Sequence, residues 1–312
     1  MLYSIGILIL ILIGIVAYRM TPPEKLFELG ISAERRISGL TLKTSDIVEG
    51  EIAYLEGGSG KPLLLLHGFG ADKDNWVRMA KHLTGKYRVI APDLPGFGES
   101  FKQPDLNYDV PAQVVRLKAF AESIGLSKFH IGGNSMGGYI AGNYAVEHPD
   151  QVLSLWLLNP LGVATSPDSE MFAMLRQQER PTVLVGDAEQ YRELLAFAFH
   201  KPPFIPGVMV KELAKRSEAS FPLNSQIFQQ IHHLCDGQVH FTVPLDTVLK
   251  DFDKPTLITW GDKDRVLHVA GADILGKLVP QSEVQVMKDM GHLPMIEAPS
   301  QTAKQFLQFD QA

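Results

Sequence analysis

The chain has 312 residues, 45% of them hydrophobic, which is enough to bury the core of one large domain or of a domain with an insertion. Its net charge of −6 is opposite to the positive charge typical of nucleic-acid-binding proteins, so we expect no nucleic acid as a partner. The single cysteine, Cys235, excludes an internal disulfide bond. No feature of the sequence indicates an oligomeric state.

The first segment of the chain is strongly apolar. Residues 2–18 carry no charge, and residues 5–17 are apolar throughout. At 1.5 Å per residue such a helix reaches roughly 26 Å, the short end of what crosses a bilayer. We therefore expect residues 1–20 to form a single-pass transmembrane anchor and the protein to be located at a membrane.

Two other interpretations of this apolar run stay open. A cleaved export signal normally begins with Lys or Arg and ends in small residues, whereas no basic residue precedes this run and Ala17-Tyr18-Arg19 is a poor cleavage site. A helix buried in the protein is the third interpretation. Basic residues after the run favour a cytoplasmic location for the rest of the chain, but they leave the side of the membrane undecided; they are Arg19, Lys25, Arg35 and Arg36.

Residues 21–40 predict a linker helix. Thr21-Pro22-Pro23-Glu24 is typical of a helix start, because proline is tolerated in the first turn. Apolar residues then recur at near-helical spacing: Leu26, Leu29, Ala33 and Ile37. This stripe predicts either a helix packed on the following domain or a helix lying on the membrane surface.

Beyond residue 40, short apolar runs alternate with helical patterns. TLKTSDIV and GEIAYLEGG predict a hairpin, and helical patterns cover Val110–Ile124 and Met136–Glu147. Six further runs predict buried strands: Pro62–Gly68, Arg88–Asp93, Lys128–Asn134, Val152–Asn159, Pro255–Gly261 and Ser282–Lys288. This alternation predicts an α/β fold, in which residues 41–160 and 254–312 form a mostly parallel sheet covered by helices.

The alternation stops in residues 161–253. This stretch holds proline-rich turns and three helical patterns, over Met171–Gln178, Glu189–Phe199 and Val208–Ala219, but no convincing strand. We therefore expect a helical cap seated on the strand ends.

One serine has the surroundings of a nucleophile. Residues 133–137 read GNSMG, which fits the pattern G-x-S-x-G, with an apolar strand before it and a helix after it. In this context the serine of a nucleophile elbow sits on a strained turn, with its hydroxyl exposed above the sheet. The helix N-terminus behind Ser135 also favours developing negative charge. Ser135 is therefore the predicted catalytic nucleophile.

A serine nucleophile needs a base and an acid that orients the base, and on this fold they follow in the order Ser, acid, His. His292 lies after the last predicted strand, where the base is expected. The acid is predicted at Asp264, three residues past Gly261, with Asp262 as the fallback. The preceding strand ends in Asn159 and Pro160, without a carboxylate, which favours Asp264.

An oxyanion hole needs two backbone donors. We predict the N–H of Met136, directly after the nucleophile, and the N–H of Phe69, in the loop after the first long buried strand. His67, at the end of that strand, is expected to hold the turn. His232 and His233 beside Cys235 lack a further ligand cluster, so we expect neither a metal nor a cofactor.

Five motifs, in this order and spacing, resemble the α/β-hydrolase superfamily from about Glu51 to Phe309: HGFGADKDNW, DLPGFGES, GNSMGG, WGDKDRV and GHLPMIEAP. Within it, the chain looks most like the membrane-anchored monoacylglycerol lipases and the cold-adapted bacterial lipases. The resemblance implies hydrolysis of carboxylic esters of lipid type, with monoacylglycerols as the expected substrate class. It also implies that Asp93 and Glu297 are structural hydrogen-bonding residues.

Two alternatives remain beside ester hydrolysis. GNSMGG also resembles the meta-cleavage-product hydrolases, which split C–C bonds, but those usually carry Trp after the histidine and an Arg in the cap. Here Leu293 follows His292, and the cap arginines lie in polar helical contexts that predict solvent exposure: Arg176, Arg180, Arg192 and Arg216. A catalytically dead binding module is the other alternative, and the intact Ser, Asp and His set opposes it.

The predicted cap is rich in large apolar side chains: Met171, Phe172, Met174, Leu175, Phe197, Phe199, Phe204, Ile205, Val208 and Met209. Most are expected to form the cap's own core, which is the ordinary role of helical apolar stripes. A subset facing Ser135 would form an acyl pocket, and methionines suit pockets that accept varied chains.

Overall fold

The computed structural model describes residues 21–235 and 238–311. The predicted anchor, residues 1–20, lies outside these residues. Among the helices that the structure does describe, none combines the length and the apolar character needed to cross a membrane.

The described residues contain ten strands. In chain order they are β1 Leu40–Ile47, β2 Gly50–Gly57, β3 Lys61–Leu66, β4 Tyr87–Pro92, β5 Phe129–Ser135, β6 Val152–Pro160, β7 His233–Cys235, β8 Gln238–His240, β9 Thr256–Gly261 and β10 Ser282–Met287. Eight of them form one sheet in the order β1-β2-β4-β3-β5-β6-β9-β10. The β1–β2 and β2–β4 pairs are antiparallel and the other pairs are parallel. The predicted hairpin and the six predicted strands are confirmed, but β10 is not the buried strand expected, because it lies at the edge of the sheet and only Met287 in it is buried.

The same part of the chain contains eleven α-helices. They are α1 Pro23–Ile37, α2 Val77–Ala80, α3 Val110–Ser123, α4 Met136–Glu147, α5 Glu170–Arg176, α6 Ala188–Ala198, α7 Gly207–Ile231, α8 Leu245–Val248, α9 Ala270–Leu278, α10 Pro294–Glu297 and α11 Pro299–Phe309. Capping residues in the sequence define where several of these helices begin. Asp109, for example, caps α3 by accepting the N–H of Ala112 at 2.9 Å, which satisfies a donor that the helix leaves free.

The sheet separates two apolar layers. Because successive side chains of a strand point to opposite faces, Leu64 and Leu66 of β3 pack in one layer while Leu63 and Leu65 pack in the other. All four leucines are fully buried. A strand buried on both faces has to be apolar at every position, which explains why this run shows no alternation.

The prediction that residues 161–253 hold no strand is wrong. β7 and β8 form a short antiparallel pair in register His233↔His240. Strands of three residues are too short to show the alternation from which a strand is predicted.

Helix α7 extends well beyond the predicted end at Ala219. Its interior contains Pro222, which removes one helical hydrogen bond. Beyond the proline, Ile227 and Phe228 are buried, and Gln226 Nε2 donates to the carbonyls of Pro104 and Leu106 at 2.9 and 3.2 Å. These tertiary contacts explain why the helix continues past a residue that ends many helices.

Helix α1 packs on the domain, as one of the two interpretations of the linker predicted, but it does so with a different face. The predicted stripe places Leu29 and Ile37 in the contact, yet they are 59% and 76% exposed. Phe27 and Arg35 are buried instead. Arg35 donates twice to Asp74, at 2.6 and 2.7 Å, so ion pairing as well as apolar burial holds the helix in place.

Candidate active site

Ser135 lies on a strained turn between β5 and α4. Its φ is 55°, a left-handed conformation that is costly for a residue with a side chain. The glycines beside it are required by close backbone approach. A Cβ on Gly133 would lie 2.2 Å from the carbonyl oxygen of Gly137, and one on Gly137 would lie 2.2 Å from that of Leu66. The predicted elbow is therefore present.

His292 lies in the loop between β10 and α10. Its backbone N–H donates to the Ala198 carbonyl at 2.7 Å, and its own carbonyl accepts from Asn134 Nδ2 at 3.1 Å. Asn134 directly precedes Ser135, so this bond ties the histidine loop to the serine turn. The bond to Ala198 ties the same loop to the end of α6.

Asp264 and His292 form a hydrogen-bonded pair. Asp264 Oδ2 lies 2.8 Å from His292 Nδ1, and the aspartate side chain is fully buried. Asp264 Oδ1 accepts the backbone N–H groups of Val266 and Leu267 at 2.8 and 3.0 Å. These two donors suit an ionised carboxylate, which accepts a hydrogen bond from Nδ1–H of the neutral ring and so leaves Nε2 unprotonated.

Asp262, the fallback acid, has a different role. Its Oδ1 accepts the Met290 N–H at 3.2 Å, and Oδ2 lies 3.3 Å from Lys263 Nζ. Burial opposes ionisation, but these hydrogen bonds and the lysine charge outweigh it and hold the pKa of Asp262 below its ordinary value. Within the described residues, only Asp264 of the two aspartates contacts His292.

Sequence reasoning missed the role of Asn159. Its Nδ2 donates to Asp264 Oδ2 at 2.6 Å, and its φ is 44°. Because Asn159 carries no carboxylate, the sequence did not predict its contact with the acid. Asparagine tolerates the left-handed backbone region better than most residues. An Asn-Pro pair at the end of a strand could therefore have indicated a residue in that conformation.

The two predicted oxyanion donors lie beside the serine. Met136 is the first residue of α4, so its N–H has no acceptor within the helix. The Phe69 N–H has no hydrogen-bond partner in the part of the chain that the structure describes. The loop approaches closely, because a Cβ on Gly68 would lie 3.3 Å from Ser135 Cβ.

His67 holds this loop, as expected. Its Nε2 accepts the Leu94 N–H at 2.9 Å, so Nδ1 carries the proton and donates to the Gly68 carbonyl at 2.8 Å. Burial lowers the pKa of His67, which keeps the ring neutral in this arrangement.

Asp93 and Glu297 make the structural hydrogen bonds that the resemblance implies. Buried Asp93 accepts from the backbone and side chain of Lys73 at 2.7 and 2.8 Å. Glu297 accepts the N–H groups of His200 and Lys201 at 3.1 and 3.0 Å. Asp93 therefore fixes the segment after the predicted oxyanion loop, and Glu297 fixes the chain after α6.

A cavity of about 630 Å³ contains Ser135, Phe69, Asn134 and His292 in its wall. Four of the apolar residues predicted for the cap also line it: Met171, Phe199, Ile205 and Met209. Phe197 is buried away from the cavity, whereas Phe204 is 85% exposed. A subset of the predicted cap residues therefore lines the cavity that contains Ser135.

Helix α1 forms part of the same cavity wall through Phe27, Gly30, Ile31 and Glu34. Sequence reasoning missed these residues, because no motif connects them to Ser135, about a hundred positions away. The helix reaches the cavity by packing against α7: Lys215 pairs with Glu24 at 2.8 Å.

His232 and His233 each pack against another aromatic ring. His232 is buried and packs edge-on against Phe228, with ring centroids 4.3 Å apart. Burial lowers the pKa of His232 to about 4, so its ring is neutral near pH 7. His233 stacks on His240 across the β7–β8 pair, with ring centroids 5.6 Å apart.

Comparison with known proteins agrees with the geometry. The model of the alpha/beta hydrolase fold family matches residues 61–299. Lipase 1 of Psychrobacter immobilis is 37% identical over 285 residues, which is 89% of this chain and 87% of that protein. Monoacylglycerol lipase ABHD6 of Mus musculus is 29% identical over 315 residues, 97% of this chain and 92% of that protein.

A solved structure, that of a bacterial membrane phospholipase A, matches with a TM-score of 0.88 and 40% identity, over 100% of this chain and 98% of that one. The resemblance stated from the motifs is confirmed, and the relatives are named as lipases. The chain therefore belongs to the α/β-hydrolase fold family and is a carboxylic ester hydrolase of lipase or esterase type.

Proposed function

We propose that the protein is a serine hydrolase that cleaves lipid esters, with monoacylglycerols as the substrate class, through an acyl-enzyme on Ser135. One observation carries the proposal. Ser135 on its strained turn shares a cavity with His292, and the ring of His292 is hydrogen-bonded to buried Asp264.

In the first half of the reaction, His292 Nε2 accepts the proton of the Ser135 hydroxyl while Oγ forms a bond to the ester carbonyl carbon. The carbonyl oxygen becomes an oxyanion, which the N–H groups of Phe69 and Met136 stabilise. Collapse breaks the ester C–O bond, and the leaving alkoxide takes the proton from His292. Asp264 orients the imidazole and stabilises its positive charge, and it stays ionised.

In the second half, water replaces the alcohol. His292 Nε2 accepts a proton from water while the water oxygen attacks the acyl carbon of the acyl-enzyme. The same two N–H groups stabilise the second oxyanion. Collapse releases the fatty acid and returns the proton from His292 to Ser135 Oγ.

The substrate class is supported by the cavity and by the relatives. The apolar part of the wall, which includes Phe199, Ile205 and Met209, suits an acyl chain. Relatives that match nearly the whole length of this chain are named monoacylglycerol lipases. The predicted division into a core, residues 41–160 and 254–312, and a cap, residues 161–253, remains part of this proposal.

We also propose that residues 1–20 anchor the enzyme in a membrane. The uncharged apolar run supports this, as does the similarity to a protein named as a membrane phospholipase A. The full chain should sediment with membranes and resist carbonate extraction, whereas a chain starting at Thr21 should not. Full-length protein that is soluble and begins near Arg19 would instead show a cleaved export signal.

The alternative, C–C bond hydrolysis of a ring-fission product, requires a cation for the substrate carboxylate. Arg176, Arg180 and Arg192 are exposed, as predicted. Arg216 contradicts that prediction, because it is half-buried and lines the cavity. Its guanidinium pairs with Glu28 at 2.5 Å and with Glu212 at 3.4 Å, so it is already neutralised. The structure gives this alternative no support.

The decisive experiment tests the nucleophile. A fluorophosphonate probe should label the wild-type protein but not Ser135→Ala, and Ser135→Ala should lose hydrolysis of both a monoacylglycerol and a short soluble ester. A ring-fission dienone in the same panel checks the alternative. Labelling that persists in a folded Ser135→Ala protein would reject the proposal.

A further inference from the structure

Arg35 is a buried cation near the end of helix α1. Its side chain is bidentate on Asp74: Nε donates to Oδ1 at 2.7 Å and Nη2 donates to Oδ2 at 2.6 Å. Two parallel bonds fix the orientation of a carboxylate as well as its distance. Because burying an ion pair costs desolvation, such a pair is weak evidence for a gain in stability alone. The pair therefore directs attention to what Asp74 holds in place.

Asp74 lies in the segment that follows the predicted oxyanion loop. It belongs to the 3₁₀ helix Lys73–Trp76, five positions after Phe69. Its own N–H is bound by Asp72 Oδ1 at 2.9 Å, and the Ala71 N–H donates to the Gly68 carbonyl at 3.3 Å. These bonds lead from Asp74 back to the turn that contains Phe69. A displacement of the Asp74 carboxylate is therefore passed to the loop through few flexible residues.

The loop has further attachments, and these come from the hydrolase domain itself. His67 fixes its start, and Asp93 binds the backbone and the side chain of Lys73 behind it. Both lie within residues 61–299, which match the fold family, whereas Arg35 lies outside them. Helix α1 thus adds an attachment for the end of the loop that the matched region does not supply to Asp74.

The space behind the loop holds an excess of carboxylates. Four of them surround the cations Arg35 and Lys73: Asp72, Asp74, Asp93 and Glu99. Lys73 already lies 2.8 Å from Asp93 and 3.4 Å from Glu99. Without Arg35, Asp74 would keep a part-buried charge among like charges, which is strongly unfavourable. The segment would then have to move toward solvent.

We propose that Arg35 is a positioning residue for the reaction, because through Asp74 it holds the loop that presents the Phe69 N–H to the oxyanion. Among the described residues, those that line the cavity include Asp74 but not Arg35, so Arg35 acts without touching the acyl chain. Helix α1 then contributes to catalysis as well as to the cavity wall. The inference rests on the proposed serine mechanism, in which Phe69 is an oxyanion donor.

The first measurement separates kcat from KM on a short soluble ester. Arg35→Met should lower kcat by about tenfold, a part of the roughly 10²- to 10³-fold that a whole oxyanion donor is worth. KM should change by less than about twofold, as expected when the lost interaction acts in the transition state. Arg35→Lys keeps the charge but not the bidentate geometry, so its kcat should lie between those of the wild type and Arg35→Met.

The second measurement uses a pair of inhibitors that a merely structural role would weaken equally. An alkyl trifluoromethyl ketone accepts a bond from Ser135 Oγ at its carbonyl carbon, His292 takes the serine proton, and the ketone oxygen becomes an oxyanion. The matching carbinol fills the same space and forms no such bond. In Arg35→Met the Ki of the ketone should rise by about tenfold, and that of the carbinol by less than about twofold.

Arg36→Met is the matched control, because it makes the same change at the neighbouring, exposed position of α1. It should leave kcat and both Ki values unchanged. A folded Arg35→Met protein with wild-type kcat and ketone Ki would overturn the proposal, as would equal weakening of the ketone and the carbinol. If Arg35→Met does not fold, Arg35→Lys takes the same test, and a wild-type ketone Ki would then overturn it.

A double-variant cycle tests whether Arg35 acts through Asp74. Asp74→Asn should lower kcat to a similar extent, and the protein with both changes should lose no more than the larger single loss, because the two residues form one contact. Losses that multiply would show independent roles and would overturn the proposal.

The failure of this inference is distinguishable from that of the proposed function. If Ser135→Ala abolishes hydrolysis and fluorophosphonate labelling, but Arg35→Met leaves the ketone Ki unchanged, the role of Arg35 is rejected and the serine mechanism stands. If Ser135→Ala retains hydrolysis, the proposed function is rejected and the role of Arg35 with it.

Discussion

The strand-end loops around Ser135 and the opposite wall of the cavity differ in how they are specified. In the loops, individual residues have positions that few other types can occupy. A Cβ on Gly133 or Gly137 would lie 2.2 Å from a backbone oxygen, and Asp264 accepts from two backbone N–H groups. In the opposite wall, helices α1, α6 and α7 contribute apolar and small polar side chains that many sequences could supply. The chemistry thus depends on single residues, and the substrate choice depends on packing.

One hydrogen bond ties the strand-end loops together, and a second joins them to the opposite wall. Asn134 Nδ2 connects the serine turn to the His292 carbonyl, and the His292 N–H connects to the Ala198 carbonyl at the end of α6. The base therefore contacts both regions through its own backbone. Changes in the cap can alter the position of the histidine loop, while changes on the exposed side of the cap should leave it untouched.

The largest effect is expected within the loops, from the two aspartates. Asp264→Asn should lower kcat by about 10⁴-fold, because the imidazole loses its correct tautomer and its charge partner. Asp262→Asn removes a bond to Met290 and an ion pair with Lys263, and we expect less than about a tenfold decrease. The measurement is kcat on a short soluble ester at saturating concentration.

Circular dichroism and thermal melting should show that both aspartate variants are folded. The comparison fails if the two effects are equal, or if Asp262→Asn has the larger effect. In the latter case the catalytic acid is Asp262 and not Asp264, which contacts His292.

The sequence predicted the loops better than the opposite wall, for physical reasons. Ser135 and Asp264 follow strands with continuous apolar runs, His292 follows the last strand, and parallel strands bring their carboxyl ends to one edge of the sheet. The stripe predicted to pack α1 on the domain was wrong, because helical spacing shows which residues share a face but not what that face contacts. Arg35 is buried through Asp74, a contact between residues that are 39 positions apart.

An intermediate effect is expected where α1 meets the cavity. Ile31→Trp adds volume to the cavity wall, so it should lower kcat/KM for long-chain esters by about tenfold, as overpacking of an apolar site costs roughly 1–3 kcal/mol. A butyrate ester should change less than about twofold. Leu29→Trp, on the exposed face of the same helix, is the control and should change neither.

A chain-length series of p-nitrophenyl esters gives this comparison directly. If Leu29→Trp and Ile31→Trp behave alike, α1 influences activity through membrane contact or folding and is not a wall of the cavity. If neither has an effect, the long chain does not reach α1.

The smallest effect is expected in stability, at Asp72 in the loop that follows Phe69. Burial and the nearby carboxylates of Asp74 and Asp93 raise the pKa of Asp72 to about 7, against an ordinary value of 3.8. Between these two pH values the folded protein binds one more proton than the unfolded chain, so this group makes stability fall as pH rises from about 4 to 7. Above pH 7 the destabilisation is complete.

Asp72→Asn stays neutral and can still cap Asp74, whose N–H is bound by Asp72 Oδ1 at 2.9 Å. Melting temperatures of both proteins from pH 4 to 8 should therefore converge at acidic pH and separate by a few degrees at pH 8, with the variant more stable. A constant difference across the series, or a variant that melts lower at pH 8, would show that Asp72 does not titrate against its neighbours in this loop.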